Sequence, residues 1–289
     1  MVWQIVKKVD VETARKVPLW ARSPFLEMEG LWTEEIMAKR AAKGANMSSN
    51  IAPEHAKAMV KSVEHAENMQ SPRVIKSHLP LEMLPPNLVD TCKVIFVCRT
   101  PKDCCVSYYN HHLTIPDYHF KGMFADFAEL FLEGSLEFGS YWTMLKVHKY
   151  DLWCSFLKGI KQVYTIHILN RQLKYSFKSA WKYKDHPNMK ILWFEDMKKD
   201  LVSVIKDVAS FTGYHITQYK TLVLDDHLYI DNFRQLMVDA MGGDPGMKKF
   251  IRKGQVGDWK NYFNEENSKI WDKWIAENLS GTDIVLPDH

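Results

Sequence analysis

Two adjacent cations, Arg252 and Lys253, open the polar run RKGQVGDWKNYF, which also holds Gly254, Gly257 and Trp259. No helical or strand period explains the run, but its chemistry suits an oxyanion. Arg252 offers a planar fork of donors and Lys253 a point charge, and the glycines let backbone amides approach an anion with no Cβ in the way. A basic surface turn anchored by one tryptophan would use the same residue types, so spacing alone leaves both readings open. His78 is the second chemical position. It follows the strand-like run Arg73 to Lys76 and precedes Leu79 and Pro80, so it stands at a strand end, where a histidine can work on a proton or simply hold structure. The third is Arg99, directly after the apolar run KVIFVC, with Ser107 eight residues on. A salt bridge and an ordinary helical serine are the alternatives there.

The elements that must position these residues are legible in part. Lys93 to Cys98 is a continuous, β-branched run of the kind buried on both faces of a parallel sheet. Thr100, Pro101 and Asp103 then supply the cap, first-turn proline and capping-box acid of a helix. Arg99 therefore sits at the carboxyl end of a parallel strand, where open α/β sheets bind ligands. Lys190 to Phe194 is a second buried strand, followed by a helix with Leu201, Val204, Ile205, Val208 and Phe211 on one face and Gly213 as its stop. Upstream, Asp10 to Arg15 is helix-compatible, and Pro53 opens a helix running to Asn68 whose Glu54–His55 and Glu64–His65 pairs read as solvated. Phe124 to Met144 is amphipathic at helical spacing, its aromatics reading as core. The pattern predicts an α/β protein with a central parallel sheet flanked by helices.

Composition narrows the function classes. A chain of 289 residues, 46% hydrophobic and 12% aromatic, can build one large core. A formal charge of +3 is too small for a nucleic-acid face, so the anion site is expected to be local and its ligand small. No run of eighteen apolar residues and no leader pattern occurs, which predicts a cytoplasmic protein with no membrane partner. The cysteines at 92, 98, 104, 105 and 154 form no Cys-x-x-Cys pair and read as small hydrophobes. His111, His112, Asp117 and His119 match no metal-ligand spacing, so no metal is expected.

Several of these strings, in order along the chain, resemble the cytosolic sulfotransferases. RKGQVGDWKNYF resembles the family's C-terminal signature, RVIKSHLPLEMLP the segment whose Lys-x-His pair supplies the base, VIFVCRTPKDCCVSYYNHH the second nucleotide-binding segment, and WFEDMKKD the segment whose aromatic touches adenine. The resemblance covers most of 1–146 and 178–278. It implies a single domain over 1–289 with the P-loop-like sulfotransferase fold. The activity implied is sulfuryl transfer from 3′-phosphoadenosine 5′-phosphosulfate to a hydroxyl or amine of a small acceptor. It assigns the acceptor proton to His78 and a charge-neutralising role to Lys76. It places Arg99, Ser107, Arg252, Lys253 and Gly254 on the 3′-phosphate, Phe194 at adenine and Phe25, in RSPFLE, on the acceptor pocket.

The departures are equally specific. Family members carry a first strand and a Pro-Lys-Ser-Gly-Thr-Thr-Trp loop that cradles the 5′-phosphosulfate, and none of the 289 residues reads so. The expectation is a fold without that strand and loop, and a polypeptide that is a very poor sulfotransferase or a non-catalytic relic binding nucleotide or acceptor. Residues 147–177 have no family counterpart and read as an insertion, while 240–249 (AMGGDPGMKK) reads as a mobile lid and matches no Walker A loop, which disfavours a nucleotide kinase. The family's dimer motif falls on Lys260, Asn264, Glu265 and Lys269 and keeps only its first residue, so a monomer or weak homodimer is expected.

Overall fold

A computed structural model describes residues 1–31, 52–79, 81–114, 120–136, 163–167, 180–240 and 251–288, with Glu35, Ala38 and Tyr118 besides; of 163–167 it describes the backbone. Among the described residues four strands form the sheet: β1 (Val74–Ser77), β2 (Lys93–Cys98), β3 (Val163–His167) and β4 (Met189–Trp193). They lie in the order β1-β3-β2-β4, and all are parallel. The expected α/β architecture is therefore present, and β2 spans the residues read from its apolar run.

Alternation along the strands feeds two cores. On one face Ile75, Val94, Phe96 and Cys98 pack with Tyr108, Phe127, Phe131 and Trp271. These come from α6 (Pro101–Thr114), α7 (Phe124–Glu133) and α11 (Glu265–Leu279). On the other face Val74, Ile95 and Leu192 pack with Val2, Ile5, Ile205, Val208 and Leu224, from α1 (Val2–Val6), α8 (Leu201–Thr212) and α9 (Gln218–Leu228). Val94, Ile95 and Phe96 are fully buried, which is why β2 reads as an unbroken apolar run and not an alternating one. The remaining labelled helices are α2 (Val11–Lys16), α3 (Leu19–Arg22), α4 (Pro53–Val60), α5 (Ser62–Asn68) and α10 (Ile230–Ala240).

Four local expectations need correction. The helix expected from Pro53 to Asn68 breaks at Lys61, whose φ of −122° and ψ of 56° leave the helical region. His65 is not solvated, because its Nε2 donates to the Ala21 carbonyl at 2.8 Å and ties α5 to α3. The amphipathic helix from Phe124 ends at Gly134, which takes a left-handed conformation (φ 80°) and closes the last turn onto the Leu130 carbonyl; 137–144 lie outside the described residues. Within 147–177, where no period was found, Val163–His167 is a central strand of the sheet, and the rest of that segment lies outside the described residues. A strand paired on both sides along Val163 to Ile166 needs no amphipathic pattern, so it left little trace in the sequence.

Candidate functional site

The sheet delivers two clusters of side chains at its carboxyl edge. The first lies at the end of β1. Phe25 makes a parallel bridge to Lys76, with the Lys76 amide donating to the Pro24 carbonyl at 2.8 Å and the Leu26 amide to the Lys76 carbonyl at 3.0 Å. This pairing brings three residues together: the Lys76 ammonium sits 4.7 Å over the Phe25 ring, and the His78 ring lies 4.5 Å from Phe25, tilted at 60°. Glu27 fixes the chain beyond the strand. Its Oε1 accepts from the Ser77 hydroxyl at 2.5 Å, the His78 amide at 2.8 Å and the Leu79 amide at 3.0 Å. Burial pushes the Glu27 carboxyl above its ordinary range despite these bonds, and its Oε2 is buried with no partner among the described residues.

The second cluster lies beyond β2 and β4. Arg99 lays its guanidinium 4.4 Å over the Phe194 ring, donates from Nη2 to the Gln255 carbonyl at 3.0 Å, and stands 3.7 Å from Asp103 Oδ2. Glu195 ties the two strand ends, its Oε1 accepting from the amide and the hydroxyl of Thr100, both at 2.9 Å. Asp103 was expected to close a capping box on Thr100. Its carboxylate, fully buried, instead accepts from the Gly257 amide at 2.6 Å and the Trp259 amide at 3.0 Å, anchoring the Arg252–Phe263 run to the first turn of α6 across more than 150 residues of sequence. Ser107 lies one turn further along α6 and is half-buried.

Within that run Asp258 receives Arg252 Nη2 and Lys253 Nζ, each at 2.7 Å, and Asn261 Nδ2 at 2.9 Å. Burial alone would raise the Asp258 carboxyl, but the donors from Lys253, Arg252 and Asn261 outweigh it and hold it at about 2. Arg252 also reaches the Tyr262 hydroxyl at 3.3 Å, and Asn110 of α6 donates to the same hydroxyl at 3.1 Å. Gly254 has φ +59°, and a Cβ there would stand 2.9 Å from Ile230. Arg99, Arg252 and Lys253 against Asp103 and Asp258 leave one net positive charge. The Nε of Arg99 is buried and meets no acceptor among the described residues. A donor set of this kind fits a phosphate-bearing ligand.

β3 separates the two clusters. β1 and β2 both pair with it and not with each other, so the clusters stand roughly 10 Å apart across the sheet. Seen together, Phe25, Lys76 and His78 meet as one group and Arg99, Phe194 and the Gly254 loop as another. Sequence reading missed Glu27, Glu195 and Asp258 as the groups that hold them. His112, weighed for a metal site, is a core residue: its Nδ1 donates to the Tyr108 carbonyl at 3.0 Å and its ring stacks 4.2 Å from Tyr118. Asp117 and His119 of that quartet lie outside the described residues, as does most of 240–249.

Comparison with known proteins gives a consistent picture. The family described as "Sulfotransferase domain" matches residues 1–159 and 172–283, leaving 160–171, which include β3, unmatched. Luciferin sulfotransferase of Photinus pyralis is 27% identical over 99% of this chain and 68% of its own length. Sulfotransferase 1C2 of Homo sapiens is 30% identical over 77% of this chain and 67% of its own length. A crystal structure of retinol dehydratase in complex with androsterone and the inactive cofactor PAP superposes with a TM-score of 0.72 at 26% identity, covering all of this chain and 78% of that one.

Proposed function

From the premise that this chain belongs to the sulfotransferase domain family, we propose that it transfers a sulfuryl group to a hydroxyl or amine of a small acceptor, with 3′-phosphoadenosine 5′-phosphosulfate as co-substrate. The single observation that carries the reading is the cationic group at the ends of β2 and β4, with Arg99, Arg252 and Lys253 gathered around a glycine loop that a buried Asp103 pins in place. Arg252, Lys253, the Gly254 backbone, Arg99 and Ser107 would hold the 3′-phosphate, and Phe194, beneath the Arg99 guanidinium, would face the adenine. When bound, the co-substrate supplies the sulfuryl group. His78 accepts the proton of the acceptor hydroxyl or amine, and Lys76 beside it neutralises anionic oxygen. The protein mainly positions groups and balances charge, as in phosphoryl transfer.

Phe25, against both His78 and Lys76, gives an apolar acceptor a wall next to the base. Similar structures hold androsterone and retinol, which supports an apolar acceptor of that kind. The proposed protein is a cytoplasmic monomer or weak dimer with 1–289 as one domain, to whose sheet the segment that reads as an insertion contributes β3. Among the described residues no helix is long and apolar enough to cross a membrane.

A polypeptide of these 289 residues alone is expected to transfer slowly, because no residue run in it matches the loop that cradles a 5′-phosphosulfate. Loss of one such preorganised donor costs on the order of a hundredfold in rate. The test is a transfer assay on phenols, sterols and amines beside human sulfotransferase 1C2. Slow transfer that disappears in His78→Ala, with nucleotide affinity held within about twofold, is the expected result. A rate equal to that relative's would sink the impairment, and unchanged transfer in H78A would remove His78 as the base.

A further inference from the structure

Away from both clusters, α2, α3, α4 and α10 line an open pocket of about 200 Å3 that shares no residue with the proposed nucleotide or acceptor sites. Arg22 lines it. This arginine is only 7% exposed, its Nε donates to the Val17 carbonyl at 2.8 Å, and its guanidinium lies 4.7 Å over the Trp3 ring. No carboxylate stands within ion-pair distance of it among the described residues. The acid whose charge supports it, Asp10, is already engaged, since its Oδ1 accepts from the Thr13 amide at 2.9 Å to cap α2. Burial lowers the Arg22 pKa to about 10, so the group stays cationic at neutral pH. A buried, unpaired guanidinium destabilises a fold unless an anion comes to it.

The walls match such an anion. Arg15, Lys16 and His55 join Arg22 around the cavity, against a single acid, Asp239. Ala14, Leu236 and Met237 supply apolar surface. The Trp20 indole donates to the His55 carbonyl at 3.1 Å, which fixes α3 against α4 and so sets the cavity's shape. The volume falls below that of pockets for drug-sized ligands and admits a one-ring compound. We propose that this cavity binds a small organic anion, an oxyanion head on Arg22 with an apolar body against α2 and α10. The proposal does not depend on the sulfuryl-transfer reading.

Titration calorimetry of the full chain at fixed ionic strength tests it, with benzoate and phenyl sulfate as probes and benzamide as the uncharged control. A parallel titration of the R252A/K253A variant removes the other anion-binding group. Saturable one-to-one binding of benzoate or phenyl sulfate is expected in both proteins, with none for benzamide. Arg22→Met should weaken it at least about tenfold. Should Arg22→Met fail to fold, Arg15→Ser/Lys16→Ser, at exposed positions, should weaken binding several-fold while leaving the fold intact. Absence of saturable binding, equal binding of benzamide, or binding that survives R22M or R15S/K16S and vanishes in R252A/K253A would each overturn the proposal.

Discussion

Glu27 holds the end of β1 through one oxygen shared by three donors, two of them the amides of His78 and Leu79. It sets where the histidine ring stands against Phe25. Because burial raises its pKa, the folded state favours the protonated form. Stability from this group is complete below the unfolded carboxyl pKa and is lost as pH rises through the folded value. Glu27→Gln keeps the acceptor and removes the charge, so denaturation profiles should show the variant gaining on the wild type as pH rises past the ordinary carboxyl range; parallel curves would contradict this. Asp258 has the opposite sign: its folded pKa is about 2, so its contribution is full above the unfolded value and fades only as pH falls towards 2. The groups proposed to meet ligand were legible in the sequence because Arg-Lys-Gly, Lys-x-His and Arg99 after KVIFVC are short local patterns. Glu27, Asp103 and Glu195 were not, since a buried carboxylate serving amides 51 to 154 residues away leaves no local pattern at either end.

At the level of elements, the run from Arg252 depends on two glycines that do different work. Gly254 combines a left-handed φ with a Cβ position only 2.9 Å from Ile230, whereas Gly257 has φ +80° and open space around it. Gly257→Ala should cost about 1–2 kcal/mol, the left-handed penalty alone. Gly254→Ala should cost more, and Ile230→Ala in the same chain should recover part of the difference; equal costs in denaturant titrations would contradict this. Asp103→Asn keeps one acceptor oxygen and sets an NH2 donor against the other amide, so it should release one of Gly257 and Trp259 from α6 and weaken nucleotide affinity by about tenfold with the sheet intact, read by calorimetry and circular dichroism. β2 and α8 were readable because burial on both faces and a one-sided apolar stripe leave strong patterns. The split at Lys61 was not, since the piece beyond it is held by a tertiary contact, His65 to Ala21, whereas the stop at Gly134 is a local left-handed glycine cap set inside an apolar stripe that reads on past it.

At the level of the whole molecule, the sheet among the described residues has four parallel strands, and its central β3 joins β1, at whose end lie Lys76 and His78, to β2, which leads into Arg99. That joint was the least legible part of the fold, lying in a segment without period, within 160–171, which the family match leaves out. Thr165 pairs with Lys76 on one side and Ile95 on the other. Thr165→Pro should therefore cost about 3 kcal/mol or more by removing a ladder donor in mid-sheet. Unchanged stability would show that β3 does not bridge the two halves. The most direct test of the functional account is a titration of the full chain with 3′-phosphoadenosine 5′-phosphate beside adenosine 5′-phosphate. If Arg99, Arg252 and Lys253 hold a 3′-phosphate, the bisphosphate binds on the order of a hundredfold tighter, and R252A/K253A erases most of that preference. Equal affinity for the two nucleotides, or a preference untouched by the double substitution, would contradict it.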